Sequence, residues 1–297
     1  MPTLLSEVLV PVGGTVLTPE GTPAAGAIVV GGNGRGAAFG PLVADEAGRY
    51  AGMGVSYEGT RATALAVWAF RQPAGGGVTA LGLAEGVTIG QGAAGGRVVI
   101  RPATGTWTLA PNAPAGTLAA TAVAVAPNGM AVTLKAWEPG TALAPCSYFE
   151  VPGARLEARV VAESADGMAR SVWNGPVEGP VTVAPTLLHY PSVPNWTGEA
   201  LAPGAELSWS PCTGAGAYRL SLLARDRGEP LWEGLATAPR LTLHGLAAPG
   251  ADSVRLTAMQ GVAMRSVASV SPRRELRWFD PDRACGAYAY RTLPLRP

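Results

Sequence analysis

Glycine and proline punctuate this chain so often that no long regular element fits between them. The 297 residues include 40 Gly and 27 Pro, scattered rather than clustered. Each Pro fixes φ and removes a backbone donor, while Gly supplies the positive φ of tight turns. Between these breaks no apolar period of 3.6 residues persists, whereas alternation recurs, as in Val8, Val10 and Val12. The pattern predicts short strands, no helix beyond about three turns, and an all-β chain of two or three tandem immunoglobulin-like β-sandwich domains. There is no G-X-Y period, which excludes collagen. No run of 18 apolar residues exists, so no helix is expected to span a membrane.

Hydrophobic residues make up 47% and charged residues 14%, and the net charge is +1. So apolar a chain buries cores rather than staying disordered. Its neutral balance leaves no electrostatic footprint for nucleic acid or an anionic membrane. The basic residues are nearly all Arg, with Lys135 the sole Lys, a bias that fits a GC-rich genome. The opening residues, Met1 to Val8, carry neither a basic region nor a sustained apolar stretch and do not read as a signal peptide. Two settings are expected: a mature exported chain, extracellular or on a cell surface, whose leader is missing from this sequence, or a virion component. Cys146, Cys212 and Cys285 have no metal-type spacing; one disulfide plus a free thiol, or three buried thiols, both fit.

Residues 8–100 read as one unit. Turns are expected over Thr18–Pro23 and Asp45–Tyr50, and strands over Ala27–Val30 and Arg61–Phe70, the latter with Leu65, Val67 and Ala69 on one face. Val87–Ile89 and Arg97–Ile100 are expected to close the unit as a hairpin-like pair. Gly14-Thr15-Val16, the Thr18–Ala27 segment and Asp45-Glu46-Ala47-Gly48-Arg49-Tyr50 resemble the carboxypeptidase regulatory-like domain, a transthyretin-like seven-stranded sandwich. The resemblance covers 1–102 and departs from the family after Tyr50, over Gly52–Thr60. It implies no peptidase activity, because the domain accompanies the enzyme and lacks its zinc site.

The last third, 185–297, resembles a fibronectin type III domain. Leu207-Ser208-Trp209 looks like strand B and Tyr218-Arg219-Leu220-Ser221-Leu222 like strand C, with Leu241–Leu243 and Val254–Ala258 as strands E and F. Alternation places Leu207 and Trp209 opposite Tyr218, Leu220 and Leu222 across a core. The intervening 103–184 alternates well over Thr121–Val125, Ala131–Trp137 and Arg155–Val161. It carries the chain's strongest hairpin signal, Asp166-Gly167, and is expected to be a further, unassigned β-sandwich.

Little here carries chemistry. The two His, His189 and His244, fall in a linker and at a strand corner. Gly31–Gly36 lacks the Lys-Ser/Thr end and opening helix of a phosphate loop. Gly54–Gly59 misses the nucleophile-elbow spacing by one residue. Asp280-Pro281-Asp282 lacks calcium-loop spacing. No catalytic residue, cofactor site or metal site is expected. Eight Trp are spread along the chain and are expected mostly in the sandwich cores, with Trp196, in a Pro-rich stretch, the best candidate for an exposed contact. The tail concentrates Arg277, Trp278, Phe279, Tyr288 and Tyr290, the residue types of interface hot spots. It is expected to finish the last domain, to dock across it, or to anchor the chain to a partner. The expected function is a non-enzymatic spacer, adhesion or assembly module whose partners are other protein subunits in many copies. A carbohydrate- or peptide-binding module, with a surface glycan as ligand, is the other reading.

Overall fold

The computed structural model describes residues 7–33, 36–57, 64–74, 76–88, 94–194, 196–199, 201–202, 204–224, 230–243, 250–260 and 286–296. Among these no helix occurs, and the strands gather into three successive hydrophobic cores.

The first unit contains β1 (Glu7–Leu17), β2 (Ile28–Asn33), β3 (Gly36–Val43), β4 (Arg49–Tyr57), β5 (Ala64–Arg71), β6 (Ala80–Thr88), β7 (Ala94–Val99) and β8 (Arg101–Pro102). One sheet runs β4-β1-β7, antiparallel between β1 and β4 and parallel between β1 and β7; the other runs β3-β2-β5-β6-β8. Leu65, Val67 and Ala69 meet Val12, Val16 and Val98 between them. The Asp45–Tyr50 turn works through its glycine. Gly48 has φ of +72° and donates to the Asp45 carbonyl, and the Asp45 carboxylate accepts from the Arg49 N–H. A Cβ on Gly48 would lie 2.5 Å from the Val16 carbonyl oxygen, so the position tolerates no side chain. Tyr50 then enters the core, its hydroxyl donating to the Gly96 carbonyl.

The expected closing hairpin does not form. β6 and β7 lie in opposite sheets, and β7 pairs with β1, Val16 standing opposite Val98. Crossing over gives β1 neighbours on both sides, and Val98 and Ile100 lie in the core. Ile89, the end of the first expected segment, lies outside the described residues.

The second unit contains β9 (Gly105–Leu109), β10 (Thr117–Val125), β11 (Ala131–Trp137), β12 (Cys146–Tyr148), β13 (Arg155–Glu163), β14 (Ala169–Pro176) and β15 (Thr182–Val183). Its sheets are β12-β9-β15 and β11-β10-β13-β14. Strand for strand this repeats the first unit: the first strand pairs antiparallel with the fourth and parallel with the seventh. The Asp166-Gly167 signal is the β13–β14 turn, with Gly167 at φ +68° and the Asp166 carboxylate accepting from the Met168 N–H.

The third unit contains β16 (Glu206–Ser208), β17 (Ala217–Leu223), β18 (Trp232–Ala236), β19 (Arg240–Thr242), β20 (Ser253–Gln260) and β21 (Ala287–Pro294). β16 pairs with β19, and β21-β20-β17-β18 form the opposite layer. Leu207, Trp209, Tyr218, Leu220 and Leu222 share one core as the alternation predicts, with the Trp209 and Tyr218 rings edge-on at 5.3 Å. β21 also pairs with β14, so two layers join as one eight-stranded sheet, β11-β10-β13-β14-β21-β20-β17-β18.

Candidate assembly surface

The units are fastened at two joints. At the first, residues of β5 and β6 that point away from the first core, Ala66, Trp68 and Leu81, are buried in the second. The Trp68 indole N–H donates to the Met130 carbonyl at 3.2 Å, and the Asn128 amide donates to the Gly32 carbonyl at 3.1 Å. Trp68 is thus buried, but between units and not in its own unit's core. At the second joint, Leu187 belongs to the second core and Leu188 to the third, so adjacent residues plug into adjacent cores. Beside them β21 lies along β14, Ala169 opposite Arg291 and Trp173 opposite Ala287. Arg291 donates to the Pro191 carbonyl at 3.2 Å and pairs with Asp166 at 3.4 Å, tying the β13–β14 turn to the joint.

The tail residues within reach are therefore strand residues. Tyr288 and Tyr290 sit on β21, on the face of the eight-stranded sheet opposite the cores. Val161, Val172, Met259 and Ala217 form an apolar row with Tyr288 across five strands. Beside it, the Arg255 guanidinium lies 4.8 Å from the Tyr290 ring centroid, and Arg170 pairs with Glu163 at 2.9 Å. Tyr288 is almost wholly buried, at 7% exposure. Arg277, Trp278 and Phe279 lie outside the described residues. Trp196 is not a free-standing contact: it is half-buried against the third core, and its N–H donates to the Pro294 carbonyl at 3.0 Å. The structure ties it to the end of β21, apart from the tyrosine face.

The other chemistry-bearing groups are scattered. His189 is exposed in the second joint, and His244 lies outside the described residues. Among the described residues no three His, Cys, Asp or Glu gather as a metal site, and no helix is long and apolar enough to cross a membrane. Cys146 and Cys212 are free, buried in different cores, and burial pushes both thiols up to about 11. One cleft is lined by Leu235, Thr237, Arg240 and Thr242, and another by Pro19, Arg101, Thr104 and Glu150 beside the first joint; neither is lined by an aromatic ring.

One exposed apolar surface escaped the sequence reading. Leu9 and Met53, on neighbouring strands β1 and β4, are 67% and 53% exposed. The signal was in β1 itself, where Leu9 falls out of phase with Val8, Val10 and Val12.

No protein-family model and no curated protein sequence matches this chain. Among solved structures it is similar to the Bacillus anthracis TIE protein, at 10% identity and TM-score 0.23 over 84% of this chain and 44% of that one. It is also similar to a tetra-tandem repeat in the extending region of a large adhesion protein (13%, 0.19, 96% and 74%). A third is BcpA, the major pilin subunit of Bacillus cereus (9%, 0.22, 86% and 90%). The chain spans less than half the length of the first of these.

Proposed function

We propose that the chain is a non-enzymatic structural module, a stiff multi-domain spacer that takes part in a multi-copy protein assembly at a cell surface. The observation that carries this reading is the fastening of its units. Trp68 is sunk into a neighbouring core, consecutive leucines enter consecutive cores, and a sheet runs through the second joint. Ordinary inter-domain contacts leave domains free to move, whereas buried apolar joints and a shared ladder do not. A spacer profits from that stiffness, while a ligand-binding module needs a concave, aromatic-lined site, which the two clefts do not provide.

The family resemblances belong to the same proposal. Gly48 and Tyr50 filling the turn and core of the first unit support the carboxypeptidase regulatory-like reading. The second unit, which repeats that strand order, is proposed as a further copy of the same architecture. The pairing β16-β19 against β18-β17-β20-β21 supports the fibronectin type III reading.

The test is fractionation of the native source with cross-linking. Recovery on the cell surface as a ladder of cross-linked multimers is expected. A monomer captured on a glycan array favours the binding-module reading instead, and recovery inside particles places the spacer in a virion.

A further inference from the structure

In each unit the segment where the chain comes in runs parallel to, and hydrogen-bonded with, the segment where it leaves. In the first, β1 and β7 stay in parallel register from Val12 opposite Ala94 to Leu17 opposite Val99, and the Ile100 N–H adds a bond to the Leu17 carbonyl. In the second, β9 and β15 are parallel, and the ladder continues past them. Ala110 donates to Val183, Asn112 to Pro185, and Leu187 back to Asn112. In the third, the Trp196 indole N–H donates to the Pro294 carbonyl and the Arg296 N–H to the Gly198 carbonyl. Trp196 and Gly198 thus meet Pro294 and Arg296 in the same order along both segments, which is again parallel.

Parallel pairing decides how tension acts. When a chain is drawn from its two ends, parallel first and last segments are dragged past one another along their length. All the bonds between them are then strained together, and none breaks before the rest. Antiparallel first and last strands would place both ends at one edge, and their bonds would open one at a time. The units are also linked end to end, because β7 continues through β8 into β9, and β15 through the Leu187–Leu188 joint into the third unit.

We infer that the chain is a tension-bearing tether made of three shear clamps in series, with Trp196 the side chain that helps lock the third. The inference deepens the spacer reading and rests on it for its biological setting. The mechanical property itself belongs to the chain alone and needs no partner.

Single-molecule stretching of the full chain separates the two. With handles at both termini, unfolding is expected at forces several-fold above those needed when the same chain is held at the 166–167 turn and the C-terminus. In that second geometry β14 and β21 part from a shared end, Thr292 being bonded to Met168 beside the turn. Forced unfolding reports the barrier and not the equilibrium, so Trp196→Phe, which keeps a packed ring and removes the donor, is expected to lower the third unit's rupture force with little change in denaturation midpoint. Equal forces in the two geometries overturn the clamp inference, and an unchanged rupture force in Trp196→Phe overturns the role of Trp196. High end-to-end force in a chain that never appears in a multi-copy assembly leaves the clamp standing and removes the spacer.

Discussion

The two joints solve the same problem with different parts of the polypeptide. The first is made chiefly by side chains: Trp68 is fully buried in the second core and the Asn128 amide reaches the Gly32 carbonyl, with one backbone bond, Val78 N–H to the Leu134 carbonyl, beside them. The second is made chiefly by backbone, a five-residue antiparallel ladder between β14 and β21, with Arg291 as its outer tie. A side-chain joint concentrates its strength in one or two residues and announces them by type. A backbone joint spreads its strength along a strand and is indifferent to most of the side chains there, but depends wholly on the strand being present.

Removing β21 and the residues after it, 287–297, should therefore have the largest effect. The third unit loses a strand of its core layer, and β14 becomes an edge. We expect the third unit to unfold while the first keeps its protection, read by limited proteolysis. A folded truncated protein with an unchanged melting temperature would contradict the backbone joint.

Next comes Trp68→Ala. Replacing a fully buried Trp by Ala costs about 3–5 kcal/mol. Here the loss should fall on the first joint, because Trp68 belongs to the core cluster that holds Ala122, Leu134 and Trp137 of the second unit, whereas Val67 belongs to that of the first. Denaturant unfolding is expected to show the first two units separating into distinct transitions. A shift within about 0.5 kcal/mol, the scale of surface substitutions, would contradict its burial.

A smaller effect of opposite sign is expected at the second joint. Ser171, on β14, is wholly buried, and its hydroxyl has no hydrogen-bond partner. A buried polar atom left unpaired costs about 1–3 kcal/mol, so Ser171→Ala should be neutral or stabilising by up to about that amount. A clear loss of stability on thermal melting would show that the joint depends on this side chain after all.

The smallest effect is that of pH at the Arg291 tie. The Asp166 carboxyl is held below its ordinary range by the Ser164 hydroxyl, then the Met168 N–H, with Arg291 adding to both. A carboxyl whose folded-state pKa is depressed contributes stability that is complete above its unfolded pKa and is lost as pH falls through the folded one. Melting temperature should thus fall slightly more steeply below about pH 4 in the wild type than in Asp166→Asn. Because the Asp166 side chain is exposed, the difference should be small and should shrink with added salt. Parallel pH curves would contradict the lowered pKa of Asp166.

The comparison also shows which features were legible in the residues. Strand positions were readable because alternation is local: Leu65, Val67 and Ala69 of β5 and Tyr218, Leu220 and Leu222 of β17 all face cores. So was the Asp166-Gly167 turn, since a positive φ demands a particular residue. Pairing was not. That β7 joins β1 and not β6, or that β21 is shared by two units, depends on backbone groups every residue carries, so no side chain records it. Trp68 was legible as buried but not as to where, because β5 buries both faces and alternation cannot say which neighbour covers each. The candidate residues fared likewise. Tyr288 and Tyr290 were found by type, and only the fold shows them in the middle of a sheet.

Amide hydrogen exchange on the intact chain reports whether the second and third units share one sheet. If β21 lies between β14 and β20, amides of β14 and β21 that bond across the joint should exchange slowly and with a common opening free energy, as parts of one cooperative unit. The Asn174 amide, bonded to the Gly286 carbonyl, marks one end of that ladder. Fast, edge-like exchange along β14 beside a protected β13 would contradict it.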